Sequence, residues 1–364
     1  MIKLSSKYDI IFHHHTQVFL SVKWRGWGKR LLFVYLQLFS IYHSMVRDKS
    51  AIFIFTKDRP TTLSQTLQSI NSTPYPKFII DDSTYQSNQA EVPKLSKKFR
   101  NCKYLGKKEF QEFCATHKIT FPQFSFLLRE LGSSEWNLGY ARNFALLYSK
   151  AEHFEKVLFT DDDIQVPNLN LIPRLFQSLN KFKFAGANIE GLIDDSVLGH
   201  IATDLDLNKE RMLSGGFMVF NPITINQFFL NNYNEDWIWF FLQLKNDKHL
   251  QTGKVFQELN DPFANYKNKI IFQEFGEIAL DGIIDLYKDG SYESISHLSF
   301  WERMVQEREE YLELLASKTS NIKYLEIINW VKHNSEKFSA KLFQNLFYKY
   351  FTDRNTFLEL YQSL

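Results

Sequence analysis

Three consecutive aspartates, Asp161, Asp162 and Asp163, are the strongest chemical signal in the sequence. They directly follow residues 156–160, whose short, continuous apolar run is typical of a buried strand. Side chains two residues apart point the same way on an extended segment, so Asp161 and Asp163 can face one hard divalent cation. Mg²⁺ and Mn²⁺ suit carboxylate oxygens and the oxygens of a diphosphate. The alternative is an acidic turn that caps a helix.

Polar residues also gather where two earlier apolar runs end. Residues 51–55 (AIFIF) and 77–80 (KFII) each predict a short buried strand. The first is followed by residues 56–59 (TKDR), and the second by Asp81 and Asp82. In open α/β sheets, ligands bind outside the carboxyl ends of the strands. We therefore expect these residues and the three aspartates to lie at one edge of a sheet.

Helical patterns alternate with these strands. They cover residues 61–70, 137–150, 234–244, 301–315 and 324–364. Residues 212–221 (MLSGGFMVFN) predict a further strand with a Gly-Gly point of close approach. The alternation predicts an α/β fold in which a mostly parallel sheet is flanked by helices, followed by a C-terminal helical part.

The composition excludes several classes of protein. The 364 residues carry a net charge of +2, from 43 basic and 41 acidic residues, so no overall basic field favours nucleic acid. Cys102 and Cys114 are the only cysteines, which excludes a disulfide framework and a cysteine-based zinc site. A reducing, cytoplasmic location is expected.

The N-terminal 48 residues form an extension without a clear secretory signal. Residues 31–46 are apolar, but this run is short for a membrane span and is interrupted by polar residues. Basic residues and two tryptophans precede it, within residues 23–30. The pattern favours either an amphipathic segment at the inner membrane face or a helix packed on the next domain.

Four segments, taken in order, resemble the nucleotide-binding elements of GT-A glycosyltransferases. They are AIFIFTKDRP, FIIDDS, NLGYARNFAL and VLFTDDDI. The resemblance covers residues 51–240 and is greatest to family-two-like inverting nucleotide-sugar transferases. It implies a GT-A, Rossmann-like α/β fold that uses Mn²⁺ or Mg²⁺. It also implies a catalytic domain at 49–300, with a nucleotide-binding half (49–167), an acceptor half (168–300) and a helical region at 301–364.

The resemblance assigns roles to residues of these segments. The aspartate triplet is similar to the family's DxD motif, whose first Asp faces the ribose or metal and whose last Asp binds the metal. Here these residues are Asp161 and Asp163. Asp81 or Asp82 would bind the base. Further contacts with the nucleotide-sugar are expected from Thr56, Arg59, Asn137, Gly139, Arg142, Asp162, Gly215 and Gly216.

Residues 234–240 (NEDWIWF) resemble the ED motif of inverting GT-A enzymes. An alcohol is a weak nucleophile at neutral pH, so transfer to a hydroxyl group needs a general base. By resemblance Asp236 is that base, and Glu235 helps to bind the acceptor. The alternative is a helix N-terminus at which the helix dipole favours two acids. The family often uses a late histidine as a third metal ligand. His297 is the best candidate, with His249 behind it, whereas His200 is equally explained as a loop residue.

The resemblance therefore implies a metal-dependent glycosyltransferase, with inversion favoured by the ED motif. It would move a sugar to an acceptor hydroxyl of a carbohydrate or lipid-linked acceptor, in surface polysaccharide or glycolipid synthesis. A retaining mechanism stays open, as does a non-catalytic protein that binds nucleotide-sugars or partners. A phosphatase of the haloacid dehalogenase type is less favoured, because that motif requires Thr or Val where Gln165 stands.

Overall fold

The computed structural model describes residues 49–119, 138–191, 196–207, 213–244, 247–258 and 261–364. All of them belong to the second of the two units into which the chain divides, Lys49–Leu364. The N-terminal extension, with its expected membrane contact, lies outside the described residues. Asn137, with its expected nucleotide contact, also lies outside them.

Eight strands of the described residues form one sheet. In chain order they are β1 (Ser50–Thr56), β2 (Lys77–Asp81), β3 (Cys102–Leu105), β4 (Lys156–Asp161), β5 (Ile164–Gln165), β6 (Phe184–Gly191), β7 (Phe217–Phe220) and β8 (His249–Gln257). Across the sheet the order is β3-β2-β1-β4-β7-β6-β8-β5. Strands β5 and β7 run against the direction of the other six.

Eleven helices accompany the sheet in the described ranges. They are α1 (Pro60–Ile70), α2 (Gln86–Ser96), α3 (Lys107–Thr116), α4 (Leu138–Ala151), α5 (Leu171–Ser178), α6 (Val197–Asp204), α7 (Glu235–Leu244), α8 (Tyr266–Asp289), α9 (Leu298–Lys318), α10 (Ile322–Asn334) and α11 (Ala340–Ser363). Among these helices, none combines the length and the apolar composition needed to cross a membrane.

The chain reverses its course across the sheet beside β1. Strands β1, β2 and β3 follow one another toward one edge in parallel pairs, and β4 then pairs with the other side of β1. In open α/β sheets such a reversal opens a crevice outside the carboxyl ends of the two central strands, where ligands bind. The sheet order therefore positions the candidate site at the ends of β1 and β4.

Both faces of the sheet are covered. Phe53 and Phe55 of β1 join a core formed with α4, α7, α8 and the C-terminal helices. Ile52 and Ile54 join a second core, formed with α1, α2 and α5 on the opposite face. Successive side chains of a strand point to opposite faces, so a strand buried on both sides needs a continuous apolar run. The sequence AIFIF meets that need.

The C-terminal helices pack into the first of these cores. The buried Tyr350 of α11 donates its hydroxyl proton toward Gln227 Oε1 at 2.9 Å and the carbonyl of Phe228 at 3.1 Å. From the next turn of α11, Arg354 Nε donates to the carbonyl of Asn226 at 2.9 Å. Helix α11 therefore holds the backbone of the segment that leads to α7.

The predicted α/β class, with a mostly parallel sheet flanked by helices, is confirmed. The strand expected over residues 212–221 is shorter than predicted, because Gly215 and Gly216 form a turn and β7 begins only at Phe217. The domain boundaries stay predictions. The one expected between residues 300 and 301 falls inside α9.

Candidate functional site

The carboxyl ends of β1, β2 and β4 lie side by side. The strand register pairs Thr56 with Asp81, and Phe55 with Asp161. A cavity of about 490 Å³ opens at this edge, which is within the size range of small-molecule sites. Its described lining comes from these strand ends, the start of α4, the segment before α7, and α8.

The three aspartates do not share one direction. The chain turns at Asp162 and Asp163 directly after β4, so the extended conformation assumed from their spacing is wrong. Asp161 and Asp163 nevertheless both line the cavity. Asp162 is fully buried outside the described lining, where Thr56 Oγ1 donates to it at 2.5 Å and Arg59 pairs with it at 2.5 Å. Burial raises the pKa of Asp162 to about 7, and the charge of Arg59 opposes that rise.

Asp163 keeps one carboxylate oxygen available for a ligand. Its Oδ2 accepts hydrogen bonds from Arg59 Nη1 at 3.0 Å and from Gln257 Nε2 at 3.4 Å. Within the described part of the chain its Oδ1 has no hydrogen-bond partner, although it is buried. Burial raises the pKa of Asp163, and the negative charge of Asp161 adds to the rise.

These two carboxylates fit a cation site that a substrate would complete. Across the described ranges, no group of three or more His, Cys, Asp and Glu side chains could hold a metal ion by itself. Mg²⁺ usually binds through one or two carboxylates together with phosphate oxygens and water. The unpaired Oδ1 of Asp163 and the partly exposed carboxylate of Asp161 supply that number of ligands.

One buried guanidinium joins the aspartate turn to the acidic start of α7. Arg142 of α4, whose side chain is 2% exposed, donates from Nη2 to Asp161 at 3.2 Å and from Nη1 to Glu235 at 2.6 Å. Its Nη1 also lies 3.9 Å from Asp236 Oδ2. Expected to contact the nucleotide, Arg142 instead lies behind the described lining and connects three carboxylates.

The two acids at the start of α7 have different surroundings. Glu235 lines the cavity, whereas Asp236 lies outside the described lining and accepts a hydrogen bond from the backbone N–H of Gly215 at 2.7 Å. Burial raises the pKa of Glu235; Arg142 opposes this rise and Asp236 adds to it.

The Gly-Gly turn permits a close approach on both of its residues. A side chain at Gly215 would collide with Asp236 and Arg142. The carbonyl of Gly216 accepts a hydrogen bond from the backbone N–H of Asp161 at 3.1 Å, and a Cβ there would lie 3.2 Å from that residue's Oδ2. The turn therefore abuts both carboxylates rather than lining the described cavity.

The two acids after β2 are separated by the fold. Asp81 is buried and accepts hydrogen bonds from a backbone N–H and from the hydroxyl of Tyr104. Asp82 lines the cavity, and neither of its oxygens has a well-directed hydrogen bond among the described residues. Lys57 and Lys107 lie 3.4 and 4.0 Å from its carboxylate. Burial raises the pKa of Asp82 to about 7 against the opposing charge of both lysines.

Helix α4 also positions the segment before α7. The Nδ2 of Asn143 donates to the carbonyl of Phe229 at 2.8 Å, and its Oδ1 accepts from the N–H of the same residue at 2.7 Å. Gly139 lines the cavity and lies so close to the carbonyl of Leu230 that a Cβ would collide with it. These contacts bring the next two residues, which sequence reasoning missed, into the cavity lining.

These missed residues are Asn231 and Asn232, and Gln273 of α8 joins them in the lining. One signal could have found them: an Asn-Asn pair stands between the apolar residues 228–230 and the acidic start of α7. No periodicity marks such a segment, because it belongs to neither a helix nor a strand.

The histidines are arranged differently from the prediction. His297 is exposed at the start of α9, outside the described lining, because the 3₁₀ turn before it packs on α11 and leaves it facing solvent. His249 lies in β8 against the ring of Phe240. His200, which the sequence presented as a loop residue, belongs to α6 and lines the cavity.

No family model matches the chain, and no curated protein matches it in sequence. One similar solved structure is a mannosyltransferase from Pyrobaculum calidifontis with GDP-mannose and Mn²⁺ (9% identity, 92% of this chain and 95% of that chain, TM-score 0.44). Mouse xyloside xylosyltransferase 1 is another (11%, 49% and 69%, 0.30). A third is the 4-diphosphocytidyl-2C-methyl-D-erythritol synthase of Anaerococcus prevotii (12%, 62% and 95%, 0.35).

We expect Arg142→Met to destabilise the fold by about 3–5 kcal/mol, because it leaves buried carboxylates without their cation. Urea denaturation measures this loss. Arg303→Met is the matched control, since Arg303 also pairs with two acids but is 46% exposed, and it should cost no more than about 1 kcal/mol. Equal stability of the two variants would contradict the role assigned to Arg142.

We expect Asp82→Asn to become more stable relative to the native protein as pH rises. The folded pKa of Asp82, about 7, lies above its ordinary 3.8, so its contribution to stability is greatest at low pH and is lost as pH rises toward 7. The stability difference between variant and native protein should grow by about 2–3 kcal/mol from pH 5 to pH 8. Denaturation curves across this range measure it, and a constant difference would contradict the buried state of Asp82.

Proposed function

We propose that this protein is a glycosyltransferase of the GT-A type that moves a sugar from a nucleotide-sugar to an acceptor hydroxyl. The observation that carries the proposal is that two acidic segments meet at the buried Arg142 beside one cavity. Asp161 and Glu235, which belong to these segments, are 74 positions apart in the chain. A donor site and a separate base must face each other for this chemistry. The resemblance of the four sequence segments supports the same assignment.

The order of the strands suggests how the donor lies. Asp82 follows β2, Lys57 follows β1 and Asp161 ends β4, and these strands are neighbours in that order. Strands lie about 4.8 Å apart, so about 10 Å separates the ends of β2 and β4. We place the heterocyclic base of the nucleotide against Asp82 and the diphosphate near Asp161 and Asp163. This direction leaves the sugar beyond β4, near the start of α7.

Asp161 and Asp163 would hold Mn²⁺ or Mg²⁺ together with the diphosphate. A cation bound there stabilises the negative charge that grows on the leaving nucleoside diphosphate. Arg59, which already pairs with Asp163, adds a fixed positive charge at the same edge. A third ligand from His297 is not part of the proposal, because that side chain is exposed at the start of α9.

The proposed transfer inverts the configuration at the anomeric carbon. The bond from that carbon to the diphosphate oxygen breaks, and the diphosphate keeps the electron pair. The acceptor oxygen forms the new bond, and its proton passes to the carboxylate of Asp236. Asp236 is the better base of the two. Although it lies outside the described lining, its side chain is 15% exposed, whereas the carboxylate of Glu235 is 8% exposed and is engaged by Arg142 at 2.6 Å. The hydrogen bond from Gly215 orients Asp236 for this role.

The acceptor is proposed to be a carbohydrate or a lipid-linked sugar, in surface polysaccharide or glycolipid synthesis at the inner face of the membrane. The basic and aromatic residues 23–30 support a peripheral membrane contact.

Purified protein should bind one class among UDP-, GDP-, CMP- and dTDP-sugars more tightly with Mn²⁺ than without it. Asp163→Ala should reduce that metal-dependent affinity at least about tenfold in calorimetric titrations. Asp289→Ala, an exposed aspartate at the end of α8, is the matched control and should bind as the native protein does. Failure to bind any of these donors with metal present would refute the proposed function.

Asp236→Asn should lower kcat for transfer by about 10²–10⁴-fold while leaving donor affinity unchanged, because a general base contributes about that factor. Glu235→Gln is the comparison, and it should raise the acceptor KM more than it lowers kcat. Proton NMR of the product should show the anomeric configuration opposite to that of the donor. Retained configuration, or equal effects of both substitutions, would exclude Asp236 as the base.

A further inference from the structure

Two neighbouring amides in the cavity carry polar atoms that find no partner in the described part of the chain. Asn231 and Asn232 are 8% and 4% exposed, and both line the cavity. Among the residues that the structure describes, Nδ2 of Asn231 and both Nδ2 and Oδ1 of Asn232 make no hydrogen bond. Buried polar groups are almost always hydrogen-bonded, because leaving them unpaired is costly. This pair is therefore suited to a ligand that supplies the missing partners.

The segment that carries these amides is held from two sides. Asn143 of α4 makes two hydrogen bonds with the backbone of Phe229, and Gly139 lies against the carbonyl of Leu230. From the other side, Tyr350 of α11 bonds the carbonyl of Phe228. The amides are thus fixed before any ligand arrives, and preorganised polar groups bind with little further loss of conformational freedom.

The chemistry of the amides selects the kind of ligand. An amide presents two N–H donors and one carbonyl acceptor, and carries no charge. A hydroxyl group both donates and accepts, so it satisfies either end of an amide. Neither Nδ2 atom can ligate a metal. The cationic groups of the described lining, which would favour a phosphate, are Lys57, Arg59 and Lys269, and they belong to other segments than the two amides. Neighbouring sugar hydroxyls match this pair best.

The position of the two amides favours the transferred sugar of the donor over a sugar of the acceptor. Asn231 and Asn232 precede Glu235, which Arg142 connects to Asp161. The transferred sugar is bonded directly to the diphosphate, which the proposed function places at Asp161 and Asp163. Asp82, which we propose to contact the heterocyclic base of the nucleotide, follows β2, and β1 separates that strand from β4.

We propose that Asn231 and Asn232 bind hydroxyl groups of the transferred sugar and so contribute to the choice of donor. This assignment rests on the proposed function. It adds a sugar subsite to the nucleotide and metal contacts. Asn232 is the more important residue, because two of the pair's three atoms without a hydrogen-bond partner belong to it.

The test compares nucleoside diphosphates with their sugar esters. Calorimetry in Mn²⁺ would measure UDP, GDP, UDP-glucose, UDP-N-acetylglucosamine and GDP-mannose against native protein, Asn231→Ala and Asn232→Ala. Asn329→Ala is the matched control, because this asparagine is exposed on α10 outside the described lining. Thermal unfolding of each variant accompanies the titrations.

We expect Asn232→Ala to weaken binding of the sugar ester by about tenfold or more, while the free diphosphate binds within about twofold of native affinity. Its melting temperature should stay within about 2 °C of native, because no bond within the described protein is lost. Asn231→Ala should act in the same direction, and Asn329→Ala should have no effect.

Other outcomes overturn the inference in distinguishable ways. Equal weakening of the diphosphate and its sugar ester would place the amides on the nucleotide. If the nucleoside diphosphate and its sugar ester both bind the variants as they bind the native protein, or if only the KM of the acceptor changes, the two asparagines do not contact the donor sugar. If the native protein binds neither these ligands nor CMP- and dTDP-sugars, the proposed function fails and the subsite fails with it.

Discussion

The buried guanidinium of Arg142 is the interaction on which the rest of the site depends. It faces Asp161 at the end of β4, and Glu235 and Asp236 at the start of α7. Removing charges from water is costly unless each finds an opposite charge at close range. One cation shared by three carboxylates therefore fixes the relative position of β4, α4 and α7. The negative charge that remains at this edge suits the binding of a cation.

A second arginine plays the corresponding role on the other side of the aspartate turn. Arg59 follows β1 and pairs with both Asp162 and Asp163. Asp162 is fully buried and is also held by Thr56, so it anchors the turn while its two neighbours line the cavity. The three successive acids thus divide into one that supports the turn and two that can meet a ligand.

The remainder of the molecule holds these charges in place. Gly215 allows the turn before β7 to approach Asp236 closely enough for a backbone hydrogen bond. On α8, Gly276 leaves room for the backbone of Tyr233, just before α7. Farther out, Arg308 of α9 makes two hydrogen bonds with the buried Glu274 of α8. The C-terminal helices are therefore part of the support of the site rather than an appendage.

Buried polar atoms without hydrogen-bond partners concentrate in the same cavity. Asp82, Asp163, Asn231 and Asn232 each bury a polar atom that has no hydrogen-bond partner in the described part of the chain. Such groups lower stability unless a ligand satisfies them, and proteins tolerate this cost where function requires it. Their shared location distinguishes this cavity from a gap in packing.

The sequence by itself determined the strands β1, β2 and β4, the helices α1, α4 and α7, and the edge of the sheet at which the acids gather. Strands β3, β5, β6 and β8 were not predicted from it. Apolar runs such as residues 51–55 specify strands buried on both faces, and parallel strands bring their carboxyl ends together. Only the tertiary structure decided that Asp82 rather than Asp81 faces the cavity, that Asp162 is buried, and that Asn231 and Asn232 line the cavity. The physical reason is that side-chain direction in a loop depends on partners distant in the chain. Tyr104 engages Asp81, and Asn143 holds the backbone before the two amides, and no local periodicity encodes such contacts.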